Sequence, residues 1–331
     1  MTPTDPMTPI THLTLVLTRA DVEALTDMPE AVRAVADAFI AHAQGHTRMP
    51  PKVYLPLPEH GGDFRAMPSF LDGAAGVKWV NSHPQNPSRH GLPAVMGIFI
   101  LSDPATARPL AVLDATWLTA VRTGAAAAVA SRALGRPEAR SIGFVGSGVQ
   151  ARTMALAHQV THPEIRDLVF ADLRPDAAQA LAAAFGGRVG SIAEAAGCDI
   201  VCTSTPGAHP IIRRDMVRPG AHINAMGADA EGKQELETAL LVACRIFVDD
   251  PAQAFHSGEV NVPLHEGALS EDAIAGSLGD VLADRTPGRA SETDITLFDS
   301  TGLGVQDLAV ARLLVARARA RQVGIAVPLV G

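Results

Sequence analysis

Strand-like apolar runs dominate the first third of the chain. LTLVL at 13–17 comes first, and KVYLPL, DFRAMPSF, GVKWVN, GIFILSD and PLAVLD follow, the last two flanking an ATAR turn. Thr18, with Asp21 three residues on, has capping-box spacing and opens a short helix; a second helix runs from Pro29, an N1-type proline, to Gly45. From Thr116 the pattern becomes an Ala-rich helix, TWLTAVRTGAAAAVASRALG, closed by Gly135 and Pro137.

Beyond this helix the grammar changes. SIGFV, DLVFADL, CDIVCTST, HINAMGA and RIFVDD alternate with helical stretches, the arrangement that builds a parallel sheet. The last stretch, GVQDLAVARLLVARARARQ at 304–322, has apolar positions near i, i+3, i+4 and i+7 and predicts an amphipathic helix returning to the first part. An α+β part is thus followed by a parallel α/β part, with boundaries near 128 and 303. At 331 residues and 47% hydrophobic content the chain suits two cores.

A net charge of −8 with dispersed basic residues argues against nucleic acid or an anionic membrane as the main partner. The apolar run AVMGIFIL at 94–101 is far short of the ~20 residues a bilayer needs. The N-terminal stretch has an acid, Asp5, and no basic residue ahead of its apolar segment, the wrong order for a signal peptide, so a cytoplasmic location is expected. Cys198, Cys202 and Cys244 read as buried thiols, and the 12 histidines form no metal-ligand pair, so no structural metal is expected.

The first chemical signal is a glycine turn. Gly146-Ser147-Gly148-Val149-Gln150-Ala151 follows the strand SIGFV and opens a helix, which is the context that makes G-x-G-x-x-A a dinucleotide site. Asp172 ends the next strand, where its carboxylate suits the adenine ribose hydroxyls and repels a 2′-phosphate; NAD is favoured, while Arg174 keeps NADP open.

The second signal is lysine. Only three of the 27 basic residues are lysines, Lys52, Lys78 and Lys233. Unlike arginine, a buried lysine shifts its pKa readily and can give and take a proton. Lys52, Arg65 and Lys78 lie on neighbouring strands whose alternation aims them into one cleft, and three cations point to an anionic substrate. Asp229 follows the strand HINAM, in the place where open parallel sheets bind ligands.

The runs MPPKVYL, FRAMPSFL, GVKWVNSHPQNP, LTAVRTGAAAAVAS, GFVGSGVQAR, HINAMGADAEGKQEL, GEVNVP and FDSTGLGVQDLAVA carry a resemblance. From about residue 48 to 318 the chain resembles the ornithine cyclodeaminase and mu-crystallin family, most of all its archaeal-type alanine dehydrogenase branch. The resemblance implies an α/β homodimer in which a Rossmann doubly wound parallel sheet (129–303) is inserted in an α+β substrate-binding and dimerisation domain (1–128), with a C-terminal segment (304–331) returning to the first domain. It implies Lys78 and Asp229 as catalytic and Lys52 in a carboxylate-binding position; the charges of Arg65 and Lys78 themselves add these two to the expected carboxylate binders. On the cofactor side it implies Gly146, Gly148, Val149, Gln150, Asp172, Arg122, Thr203, Ile223, Asn224, Ala225, Met226, Lys233 and Ser300. All three lysines therefore fall on site positions.

Two positions depart from the pattern. Arg65 stands where ornithine-cyclising relatives carry a glutamate, and it would repel a distal ammonium; Ala94 stands where many have threonine, removing a hydrogen bond to the cofactor. The expected activity is an NAD(P)-dependent amino-acid or imino-acid oxidoreductase of alanine dehydrogenase type. The alternatives are a cyclic ketimine reductase, an ornithine cyclodeaminase, and a non-catalytic NADPH-binding protein like mu-crystallin.

Overall fold

A computed structural model describes residues 13–207 and 209–330. The stretch around Asp5 lies outside the described residues. The described residues fold into two sheets of eight strands each.

The first sheet contains β1 (Thr14–Leu17), β2 (Thr47–Arg48), β3 (Val53–Leu57), β4 (Gly62–Leu71), β5 (Ala74–Ser82), β6 (Gly97–Ser102) and β7 (Pro109–Asp114). Its eighth strand, β16 (Ile325–Val327), comes from the other end of the chain and pairs antiparallel with β1. β1 is parallel to β7, and the pairs from β7 through β6, β5 and β4 to β3 are antiparallel. Tyr54 stands opposite Arg65, Arg65 opposite Val80, and Lys78 opposite both Met67 and Phe99. Directly paired residues share a face, so these side chains all point to one side. The other face carries Phe64 and Trp79, whose rings stack at 5.2 Å, together with Val53, Leu55 and Ile98.

Helices fix the inner side of this sheet. Thr18 and Asp21 form the reciprocal cap of α1 (Arg19–Leu25), and Asp27 caps α2 (Met28–Ala43). The C-terminal helix (Gly304–Arg321) does return to this sheet: Ser69 donates to the Gly304 carbonyl at 3.0 Å, and Arg317 pairs with Asp27 and Glu30 on α2, each at 3.0 Å. Its first two turns are buried on every side rather than along one stripe.

The second sheet is wholly parallel. β8 (Ser141–Val145), β9 (Asp167–Ala171), β10 (Arg188–Val189), β11 (Ile200–Thr203), β12 (His222–Ala225), β13 (Cys244–Val248), β14 (Ile274–Ser277) and β15 (Ile295–Asp299) run in the order β10-β9-β8-β11-β12-β15-β13-β14. The strand order reverses between β8 and β11, the switch point at which doubly wound sheets open a crevice. The chain also forms short α3 (Asn86–His90) and the long α4 (Ala115–Leu134), which passes residue 128 unbroken between the sheets. α5 (Val149–Thr161) crosses α4 closely enough that a Cβ on Gly124 would lie 2.4 Å from the Thr153 carbonyl oxygen. Among the described residues no helix is long and apolar enough to cross a membrane, and no three His, Cys, Asp or Glu side chains form a metal cluster.

Candidate active site

The crevice at the switch point is built by the glycine turn. Gly146 has φ +89°, and a Cβ there would meet the Ser204 carbonyl oxygen at 2.7 Å, so only glycine fits. Gly148 caps α5 without a side-chain bond, and a Cβ on it would meet nothing within 4 Å. The N–H groups of the first turn of α5 are therefore presented to an anion. Gln150 points a buried Oε1 with no bonding partner at the start of the same helix, and Ala151 is fully buried behind it. Asp172 closes the turn, accepting the Ser147 N–H at 2.7 Å and the Arg174 N–H at 2.8 Å. An open glycine backbone, an uncapped helix start and an orphan amide oxygen fit a dinucleotide.

Four cations converge on the inner face of the first sheet. Lys52 donates to the Thr301 carbonyl, just past the end of β15. Burial pushes its pKa down to about 8, opposed by Asp249, with Arg65 and Arg122 among the charges that act on it. Lys78 is 1% exposed, and its Nζ lies 2.8 Å from Asp307 on the C-terminal helix. Burial pushes its pKa down to about 7 against the pull of Asp307, and Arg122 and Lys52 lower it further. A lysine in that range holds or releases a proton near neutrality.

Arg65 is forked between two carboxylates, donating to Asp63 at 2.8 and 2.9 Å and to Asp229 at 2.6 Å. Lys233 holds the other Asp229 oxygen at 2.7 Å. Burial would raise the pKa of Asp229, but Arg65 and Lys233 outweigh it and hold the carboxyl well below its usual range. Burial likewise opposes the charge on Arg65, and Asp229 and Asp63 overcome it. The Tyr54 hydroxyl lies 3.3 Å from Ser257 Oγ and 3.5 Å from the Asp229 carbonyl oxygen.

The structure thus joins Lys52, Arg65, Lys78, Asp229 and Lys233, and it redistributes other expected residues. Arg122, expected beside the cofactor, bonds Asp307 at 3.2 Å and Gln306 at 3.4 Å, which puts it beside Lys78 at the same carboxylate. Ile223 and Asn224 lie inside β12 and are fully buried; Asn224 donates to Ser131 at 2.8 Å, so neither side chain faces the crevice. Ala225 and Met226 stand at the strand end. Thr203 directs its hydroxyl to Glu235 at 2.5 Å, and Ser300 directs its own to Asp249 at 3.3 Å. Val149 is exposed at the mouth of the turn. Asp307 and Asp249 were not singled out from the sequence. Asp307 lies within FDSTGLGVQDLAVA, and a buried lysine's need for a counter-charge is the signal that points to it.

Residues 12–322 match the family described as ornithine cyclodeaminase/mu-crystallin. Alanine dehydrogenase of Archaeoglobus fulgidus is 43% identical over 316 residues, covering 94% of this chain and 97% of that one. Among solved structures, an archaeal alanine dehydrogenase dimer with bound NAD superposes with a TM-score of 0.93 at 42% identity, covering 96% of this chain and 100% of that one. Thermococcus litoralis Delta(1)-pyrroline-2-carboxylate reductase, in complex with NADH and L-proline, gives 0.92 at 31% identity, covering 95% and 100%. The chain belongs to the ornithine cyclodeaminase/mu-crystallin family.

Proposed function

We propose that this chain is an NAD-dependent amino-acid dehydrogenase of alanine dehydrogenase type, interconverting a small 2-oxo acid plus ammonia with the L-amino acid. The observation that carries the reading is the convergence of Lys52, Arg65, Lys78 and Arg122 around Asp307 and Asp229, with Asp229 past the carboxyl end of β12. Similarity to the archaeal alanine dehydrogenase supports it. Residues 1–128 with the C-terminal helix supply the substrate side, and residues 129–303 supply the cofactor side.

Lys52 and Arg122 attract the substrate carboxylate, and Arg65 joins them as its pairing with Asp229 is exchanged for the incoming anion. Lys78 holds a proton at the oxo oxygen and delivers it as water leaves. Asp229, ionised and with its charge stabilised by Lys233, takes the proton lost by the adding ammonia and returns it to the same oxygen, which leaves as water carrying this proton and the one from Lys78. NADH, when bound, supplies the hydride that reduces the imine carbon. The glycine turn and α5 would hold its pyrophosphate, and the Asp172 carboxylate would favour NAD over NADP by charge repulsion.

The enzyme is a homodimer in this reading. The outer face of the first sheet leaves Val53 63%, Leu55 49%, Ile98 46% and Trp79 40% exposed, a contiguous apolar surface suited to a second copy. The deciding experiment follows NADH oxidation with pyruvate plus ammonia and, in parallel, with pyrroline-2-carboxylate. Ammonia-dependent pyruvate turnover is expected. Turnover with the cyclic imine alone replaces the reading with a ketimine reductase, and NADH binding without any turnover replaces it with a binding protein.

A further inference from the structure

The GEVNVP motif, residues 258–263, has no part in the chemistry above, yet it packs against the loop that carries Asp229. That loop leaves β12 at Met226 and ends at Glu235. The Glu235 carboxylate is 1% exposed and accepts four hydrogen bonds. One comes from the Gly227 N–H at 2.9 Å, so the last residue of the loop grips its first. The others come from Thr203 Oγ1 at 2.5 Å, the Thr205 N–H at 2.7 Å and Thr205 Oγ1 at 2.7 Å, which tie the closed loop to the end of β11. A Cβ on Gly227 would lie 2.4 Å from this carboxylate, so the glycine is what admits the grip.

GEVNVP supplies the rest. Glu259, fully buried, accepts the N–H groups of Glu235 at 2.8 Å and Leu236 at 2.6 Å. The Asn261 side-chain carbonyl accepts the Gly232 N–H at 3.0 Å, and its amide donates to the Lys233 carbonyl at 3.1 Å and to the Gly258 carbonyl. The partners of both acids are N–H and hydroxyl groups rather than cations, an expensive way to hold a loop compared with apolar packing. What the arrangement secures is position on both flanks of the 2.7 Å contact between Lys233 and Asp229.

We propose that Glu235, Glu259 and Asn261 are positioning residues that clasp the 227–235 loop and hold Asp229 against Lys233 for proton transfer. The inference rests on the reading of Asp229 as the acid–base group. The groups facing Asp229 are Arg65 from β4 with Asp63 behind it, Tyr54 and Lys52 from β3 and the segment before it, and Lys233 from its own loop. Of these, the clasp bonds directly only to Lys233.

The test compares Asn261→Ala, Asn261→Asp and Asp229→Asn in the full chain. Asn261→Ala is expected to lower kcat by about 10²-fold, the loss that a misplaced catalytic group brings. The KM for the oxo acid and the Kd for NADH, followed by fluorescence, stay near their original values. The acid limb of kcat/KM moves to higher pH, because Asp229 loses a held cation, and amide exchange quickens over 227–235 alone. Asn261→Asp, which keeps the acceptor for Gly232 but not the donor to Lys233, falls between and serves if the alanine variant does not fold. Wild-type kcat and an unmoved acid limb in a folded Asn261 variant, alongside an inactive Asp229→Asn, overturn the clasp while sparing the functional reading. Full activity of Asp229→Asn overturns both.

Discussion

At the residue scale, the chain's economy with lysine was informative. A lysine buried to 1% exposure needs both a reason and a counter-charge, and Asp307 supplies the second at 2.8 Å. Burial and the neighbouring cations lower the Lys78 pKa, while Asp307 raises it, giving about 7. Removing the anion must therefore lower the pKa further. In the reductive reaction proposed above Lys78 is the acid and must be protonated, so Asp307→Asn is expected to move the alkaline limb of kcat/KM to lower pH. The rate at a fixed alkaline pH falls about tenfold for each unit moved. The pH profile at saturating NADH and ammonia measures this, and an unmoved limb would show that Lys78 is not the acid. The variant also takes the buried counter-charge from Arg122, which stays charged, a loss of about 3–5 kcal/mol to be read from chemical denaturation.

At the element scale, amphipathic or capped segments were legible. The Thr18/Asp21 cap, β3 to β7, α4 and the glycine turn all form close to where the pattern placed them. β15 was not drawn from the sequence, and β10 and β16 are edge strands of two and three residues. Gly124 shows how context reverses a propensity. In an isolated helix Gly→Ala adds stability, yet here the added Cβ would sit 2.4 Å from the Thr153 carbonyl oxygen on α5. Gly124→Ala is expected to destabilise by about 1–3 kcal/mol, the range for overpacking, and to lower Tm. A rise in Tm would mean that the two helices separate without penalty.

At the scale of the whole molecule, the alternation of β3 to β6 gives the sheet two unlike faces, cations inward and Val53, Leu55, Phe64, Trp79 and Ile98 outward. If the outward face receives a second copy, Trp79→Glu places a charge in that interface. Sedimentation velocity is expected to show a dimer for the natural chain and a monomer for the variant; a variant that stays dimeric locates the interface elsewhere. The sequence by itself determined the periodicities, the glycine turn with its acid, and the supply of lysine, arginine and aspartate, because these depend on local sterics and residue chemistry. Only the tertiary structure decided which charge meets which. Lys78 finds Asp307 229 positions away, Arg122 joins that pair, and Asn224 turns into the core. Those pairings depend on how the C-terminal helix and α4 cross the two sheets, and no local pattern encodes that crossing.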